Sequence, residues 1–459
     1  MKRLGLLAFV FLFFYPAQRA AAVVPYVIQA NGVGGNDSST SSMTATLANT
    51  HTGTGYKIWI IYSTYSTGET LTATETPTCP SGALADNPSY FGSSSFRLRF
   101  CYVDPASTHT SFSATVNSPT GGSSPRIWGL LVMEVYGFAS GADTAGANNS
   151  NNSGSMTVTT NNANEYIEAV GFDFSTNAFV GTGFTQRGYN GGQAGTTASR
   201  MIEEYKFAAT AGSYTTSFTS VGSFPRILIV AIPFQTAGSN PLPSQRINQF
   251  CIGHNLSGGG VQCDVSGLSA GNKLVAAGSS NTGSTIFTAG FTGETPVCPL
   301  SSQITHTYGG PITAGLCYAD LASNHSTYSP GMNVGSPSFV TDVTVMEMVG
   351  LNSGVDAGSE AAAAAQTVNY TTASANEYTI AIASDSTGTT MAPASGFGQT
   401  SQDSDPTVSS WQILTMAKTT TSSGSNTVSF TGANTTPLIA TFSFGVPSTG
   451  GVVHRVTQD

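Results

Sequence analysis

The chain repeats itself. Thr76-Pro77-Thr78-Cys79-Pro80 returns as Thr295-Pro296-Val297-Cys298-Pro299, and Cys101-Tyr102-Val103-Asp104 returns as Cys317-Tyr318-Ala319-Asp320. The second match runs on through Ala106-Ser107-Thr108-His109 and Ala322-Ser323-Asn324-His325. Val132-Met133-Glu134-Val135 reappears as Val345-Met346-Glu347-Met348, Ala163-Asn164-Glu165-Tyr166 as Ala375-Asn376-Glu377-Tyr378, and Gly183-Phe184 as Gly396-Phe397. Ordered matches at an offset of about 212–219 residues mean that one unit of ~200 residues occurs twice. Whatever buries the apolar residues of one half must therefore do so again in the other.

The boundary follows composition. Residues 23–235 form the first expected domain, 236–245 a Pro-containing linker, 246–446 the second domain and 447–459 a tail. Lys2 and Arg3 precede an apolar run from Leu4 to Tyr15 and the small residues Ala20-Ala21-Ala22. That order predicts a secretory signal peptide over residues 1–22, because about 12 apolar residues cannot span ~30 Å of hydrocarbon as a helix. No later segment is long and apolar enough to span a membrane. Six cysteines in an exported chain read as disulfides, and proximity together with the repeat pairs Cys79 with Cys101, Cys251 with Cys263 and Cys298 with Cys317.

Charged residues make up 8% of the chain and the net charge is −9, so it offers no basic footprint for nucleic acid. Aromatics at 10% supply enough apolar mass for cores. Runs rich in β-branched and aromatic residues, such as Tyr56–Tyr62, Phe96–Val103, Ile127–Tyr136 and Tyr166–Phe174, are bounded by Gly, Ser, Asn and Pro. They predict an all-β fold. The apolar run Ile127–Val135 predicts a strand covered on both faces. Ala198–Ala209 reads as a strand, and Ala361–Ala365 is the best helix candidate elsewhere. Eight to ten strands in ~200 residues suit an antiparallel jelly-roll-like sandwich closing two sheets over one core, with two immunoglobulin-like domains per half as the alternative.

The order of these motifs carries a resemblance. Glu134-Val135-Tyr136-Gly137 and Glu347-Met348-Val349-Gly350 stand where the jelly-roll-type repeats of uncharacterised exported bacterial proteins have a Glu-Tyr-Ser-Gly-like strand, though both depart from that spelling. The chain resembles those repeats over residues 24–235 and 246–446. The resemblance implies a modular extracellular β-sandwich and carries no catalytic residues.

Chemistry has few candidates. Glu134 and Glu347 sit inside apolar strands, where a carboxylate must be paired, hydrogen-bonded or protonated. A raised pKa would suit a general acid, whereas bonds to backbone N–H groups would make each a strand tie. Asp104 with His109, and Asp320 with His325, could orient a histidine for catalysis or cap a turn. Gly267-Leu268-Ser269-Ala270-Gly271 spells a nucleophile elbow but is followed by a strand instead of a helix. Tyr62 and Tyr65, with Tyr90 and Phe91, are candidate stacking platforms for sugar rings. Calcium is a candidate ligand of Asp143, Asp356, Asn148 and Asn149.

The leading expectation is therefore a secreted, non-catalytic binding or adhesion protein recognising a glycan or cell-surface ligand through tandem modules. A glycoside hydrolase or lyase using Glu134 or Glu347 is the second. A structural subunit of a surface layer, filament or virion is the third.

Overall fold

The β-branched and aromatic runs form strands, and among the described residues there is no helix. The computed structural model describes residues 25–447 except 35–40, 65–67, 81–82, 87–94, 119–126, 144–146, 150–153, 174–177, 193–199, 221–227, 238–244, 256–260, 263–264, 281–287, 291–292, 300–302, 308–310, 329–330, 334–340, 357, 386–390, 405–411 and 433–436. The expected signal peptide, most of the linker and nearly all of the tail lie outside these residues.

The first sandwich uses β1 (Tyr26–Gly34), β2 (Ser42–Thr50), β3 (Gly55–Thr64), β4 (Thr70–Ala73), β5 (Ala83–Asp86), β6 (Ser95–Val103), β7 (His109–Asn117) and β8 (Ile127–Phe138). One sheet runs β1-β8-β3-β6-β5 and the other β2-β7-β4. This alternation of early and late strands is the jelly-roll order. The second sandwich repeats it with β9 (Ala147–Asn149), β10 (Ser155–Thr160), β11 (Glu165–Asp173), β12 (Ala178–Val180), β13 (Thr185–Gly192), β14 (Arg200–Ala208), β15 (Gly212–Ser220) and β16 (Leu228–Gln235). Its sheets run β9-β16-β11-β14-β13 and β10-β15-β12. Of the expected strand Ala198–Ala209, Arg200–Ala208 form β14, and residues 198–199 lie outside the described residues.

The second half matches. Its first sandwich comprises β17 (Arg246–Asn255), β18 (Val261–Gln262), β19 (Val265–Leu268), β20 (Lys273–Ser280), β21 (Thr288–Gly290), β22 (Gln303–Thr307), β23 (Pro311–Asp320), β24 (His325–Tyr328), β25 (Gly331–Asn333) and β26 (Thr341–Val349). Its other sandwich comprises β27 (Ala361–Ala363), β28 (Thr367–Thr372), β29 (Tyr378–Asp385), β30 (Ala392–Pro393), β31 (Gly398–Ser404), β32 (Gln412–Thr419), β33 (Gly424–Thr431) and β34 (Leu438–Phe444). The expectation of eight to ten strands over one core per half is corrected, because each half holds two jelly-roll sandwiches. The alanine run is corrected too. Ala361, Ala362 and Ala363 pair with Thr441, Ala440 and Ile439 as an edge strand.

Burial explains the sequence pattern. On β3, Ile58, Ile60 and Tyr62 point into the first sandwich's own core, while Trp59 and Ile61 point the other way into a shared core. On β8, Leu130 and Val132 face the first core and Leu131, Met133 and Val135 the shared one. Both faces are covered, which accounts for the unbroken apolar run. Outer strands alternate instead: β2 buries Met43, Ala45 and Leu47, with exposed Thr44 and half-buried Thr46 between them.

The shared core lies between two large inner sheets. Three residues of β1 pair in parallel with β31, and three of β13 pair in parallel with β17. These joins create one sheet ordered β5-β6-β3-β8-β1-β31-β32-β29-β34-β27 and another ordered β9-β16-β11-β14-β13-β17-β26-β20-β23-β22. Trp59 lies 5.8 Å from Phe234, and Tyr318 5.4 Å from Phe444, across the gap between the sheets. The halves read from the sequence therefore share this core, beside clusters that belong to the first half alone and to the second half alone. Each fully buried large apolar side chain contributes about 1.5–3 kcal/mol, and Trp59, Phe100, Phe138, Phe234 and Phe250 all sit in this region.

Two disulfides occupy matched positions, Cys79–Cys101 and Cys298–Cys317. Cys251 is also disulfide-bonded, and its expected partner Cys263 lies outside the described residues. Among the described residues no helix is long and apolar enough to cross a membrane.

Candidate functional site

The two repeated glutamates are enclosed. Glu134 has no exposed surface, and it accepts hydrogen bonds from Gln29 Nε2 at 2.6 Å, the His51 backbone N–H at 2.6 Å and His51 Nδ1 at 3.0 Å. Glu347 accepts from Asn248 Nδ2, Gln249 Nε2, the Ser269 backbone N–H and Asn272 Nδ2 at 2.6–3.0 Å. Glu134 ties its strand to the turn that precedes β3, and Glu347 ties its strand to the turn that precedes β20. A carboxylate saturated with donors and shut from solvent is a scaffold element, not an acid poised over a substrate. The Ser269 elbow is that same turn, lying between β19 and β20, and its N–H is spent on Glu347.

The expected Asp–His pairs are not formed. Asp104 bonds the buried amine of Lys57 and accepts the Gly141 N–H at 2.7 Å, while Asp320 does the same with Lys273 and Gly354. His109 instead meets Glu75 at 2.6 Å and Ser107 at 3.2 Å, and His325 meets Glu294 and Ser323 likewise. Serine and carboxylate approach the same ring nitrogen, Nε2. A proton relay needs them on opposite nitrogens, so these are turn clasps. Glu75 and Glu294 also accept backbone N–H groups of the following turn and sit below the usual carboxylate range through those bonds and the histidine, despite burial. Sequence reading missed both, although they stand one residue before the matched Thr-Pro.

Two further expectations fail on burial and donor chemistry. Tyr62 is 3% exposed inside the first core and cannot offer a face to a sugar. Tyr65, Tyr90 and Phe91 lie outside the described residues. Asp143 accepts the Asn161 N–H and Asn162 Nδ2, and Asp356 accepts the Ala373 N–H. Oxygens already facing N–H donors are poor calcium ligands. The side chains of Asn148 and Asn149 lie outside the described residues. Each aspartate instead abuts a buried glutamate, Glu165 or Glu377. Burial and the neighbouring aspartate raise both, Glu377 to about 7.

A cleft of about 230 Å³ opens where the halves meet, at the antiparallel contact of Val27 on β1 with Ile247 on β17. Both strands carry a bulge immediately afterwards, between Val27 and Gln29 and between Ile247 and Gln249. The bulges bend the strands apart. Tyr26, His51 and Tyr56 line one side, and Gln245, Arg246 and Tyr378 contribute the rest of the wall.

Register builds the aromatic side. Tyr136 on β8 is paired with Tyr26 on one neighbour and with Tyr56 on the other, so three rings fall on one face. Centroids are 5.5 Å apart for Tyr26–Tyr136 and 4.8 Å for Tyr56–Tyr136, and the His51 ring stacks on Tyr56 at 5.1 Å and 12°. Gly55, at φ +104°, makes room: a Cβ there would meet the Tyr136 ring at 2.7 Å. Burial, then the neighbouring phenols, push Tyr26 up to about 12, so it stays neutral. His51 is raised by its bond to Glu134, against burial.

The polar side is unsatisfied. Arg246 forms no ion pair among the described residues. Burial lowers its pKa, opposed by Tyr205, Tyr26 and Glu347. Gln245 Nε2 is buried without a hydrogen-bond partner.

This cleft is also where the two copies differ. The matched registers place Arg246 opposite Val349 as Tyr26 is opposite Tyr136. Ser269 stands for His51 as the N–H donor to the glutamate, and Asn272 stands for Tyr56 before the buried lysine. Scaffold residues repeat, and the aromatic cluster does not. The signal was in the sequence as mismatches flanking matched motifs, where a search for repeated residues does not look. No family model, curated protein or solved structure matches the chain.

Proposed function

We propose that the protein is an exported, non-catalytic recognition module that binds a glycan in the cleft between its halves. The aromatic shelf of Tyr26 and Tyr56, packed on buried Tyr136, carries this reading, because apolar ring faces beside unpaired donors suit a sugar's CH face and hydroxyl edge. Donor-saturated Glu134 and Glu347 argue against hydrolysis. The disulfides and the signal-like N-terminus support export. Among the described residues Val297 is the one large apolar side chain that is exposed, which argues against a coat or filament subunit, whose contacts need apolar patches.

Glycan-array screening followed by calorimetry tests it. Tyr56→Ala is expected to weaken binding about tenfold, the loss of one stacking platform and its packing on Tyr136. An array blank at high protein concentration would sink the proposal.

A further inference from the structure

Resting on that glycan reading, we infer that the cleft selects a sugar bearing a carboxylate, a uronate residue, through Arg246 and Gln245. The donor inventory points there. Among the described residues Arg246 brings a guanidinium with no carboxylate partner, and Gln245 brings a buried amide N–H with no acceptor. Among the described residues no Asp or Glu lines the cleft. The nearby carboxylates, Glu134 and Glu347, have no exposed surface and are occupied by the donors described above. A ligand must therefore supply acceptors, and a planar carboxylate matches the guanidinium fork in a bidentate pair.

Size and field agree. A cavity of about 230 Å³ is below the ~300–1,000 Å³ of drug-sized pockets, so it holds one ring of a longer chain. The protein's net charge of −9 opposes a polyanion at long range. At physiological salt that field is screened beyond about 8 Å, so the guanidinium decides affinity at contact. His51, half exposed and held protonated to higher pH by Glu134, lies on the same rim.

The test compares a galacturonate trisaccharide, its methyl ester and a neutral galactose trisaccharide by calorimetry on the full chain. The free acid is expected to bind at least tenfold more tightly than the ester. Arg246→Gln should erase that difference while Tyr56→Ala weakens acid and ester together. Arg246 is part-exposed and makes no ion pair among the described residues, so Arg246→Gln should unfold at the wild-type temperature. Equal affinity for acid and ester in the wild-type protein overturns carboxylate selection and leaves the glycan reading intact. Acid preference that survives Arg246→Gln also overturns it. Failure of all three sugars, with a blank array, removes both.

Discussion

Arg187→Met is expected to cost about 3–5 kcal/mol of stability, the penalty for leaving buried charge unpaired. Arg187 is the bulged residue of β13 and has no exposed surface. Its Nη2 and Nε donate to Glu168 at 2.9 and 3.2 Å, Nη1 donates to the Pro25 carbonyl at 2.9 Å, and Glu203 lies 3.9 Å away. The guanidinium also rests 4.1 Å from the Tyr205 ring. Two carboxyls share one cation in the central core. Glu203 is raised well above its ordinary range by burial and then by Glu168, which favours its protonated form. Glu203→Gln mimics that state and should leave stability unchanged within about 1 kcal/mol. Urea unfolding of the two variants checks both expectations, and equal losses would refute the assignment of charges.

The sign of the pH dependence follows. Burial raises Glu168 and Glu204, each to about 7. Each carboxyl binds its proton more tightly folded than unfolded. Their contribution to stability is complete below about pH 4.5 and is lost as pH rises through about 7. The Arg187→Met deficit should accordingly shrink at pH 5 and grow at pH 8. The matched positions in the second half are Ile380, Thr400 and Thr415, where Thr400 donates to Thr415 at 2.8 Å. The second half builds the same register without the ions. Carrying those three residues into the first half should recover most of the loss. Because Arg187 holds the carbonyl immediately before Tyr26, it also sets one wall of the cleft.

Much of this fold was legible from pattern. Repeated short motifs revealed the halves, and the apolar run of β8 revealed a strand covered twice. The doubling within each half was hidden, because its two sandwiches share strand order without sharing motifs. Joining of the halves was hidden too: β1 meets β31 through backbone hydrogen bonds, which leave no side-chain signature. At the site, repetition pointed to Glu134, Asp104 and His109, all of which turned out to hold turns and strands together. Lys57 and Arg187 escaped notice because a lone cation in a charge-poor strand gives no hint of its partner's distance along the chain.

Lys57 provides the second large effect. Its amine has no exposed surface, sits 4.9 Å from the Tyr102 ring centroid and 5.2 Å from that of Phe234, and among the described residues is neutralised by Asp104 alone. Asp104 in turn accepts the N–H of Gly141, in the segment leading to the second sandwich, so the cluster clamps the two sandwiches of the half together. Asp104→Ala strands a buried ammonium. The full penalty for breaking a buried pair is about 3–5 kcal/mol, and the partial exposure of Asp104 reduces the expected cost to about 2–3 kcal/mol. Lys57→Met removes the ion and keeps the packing, so it should cost under 1.5 kcal/mol. Burial already lowers the Lys57 pKa, with Asp104 opposing the shift. Without Asp104 the amine escapes its penalty by losing its proton, and the deficit should shrink as pH rises from 7 to 9. That trend is opposite to the one expected for Arg187→Met, so a pH series on both variants separates a stranded cation from stranded carboxyls. Asp320→Ala, which uncovers Lys273 between Tyr318 and Phe444, should reproduce the Asp104→Ala trend in the second half. A loss that ignored pH at either site would mean that packing, not charge, is what these aspartates supply.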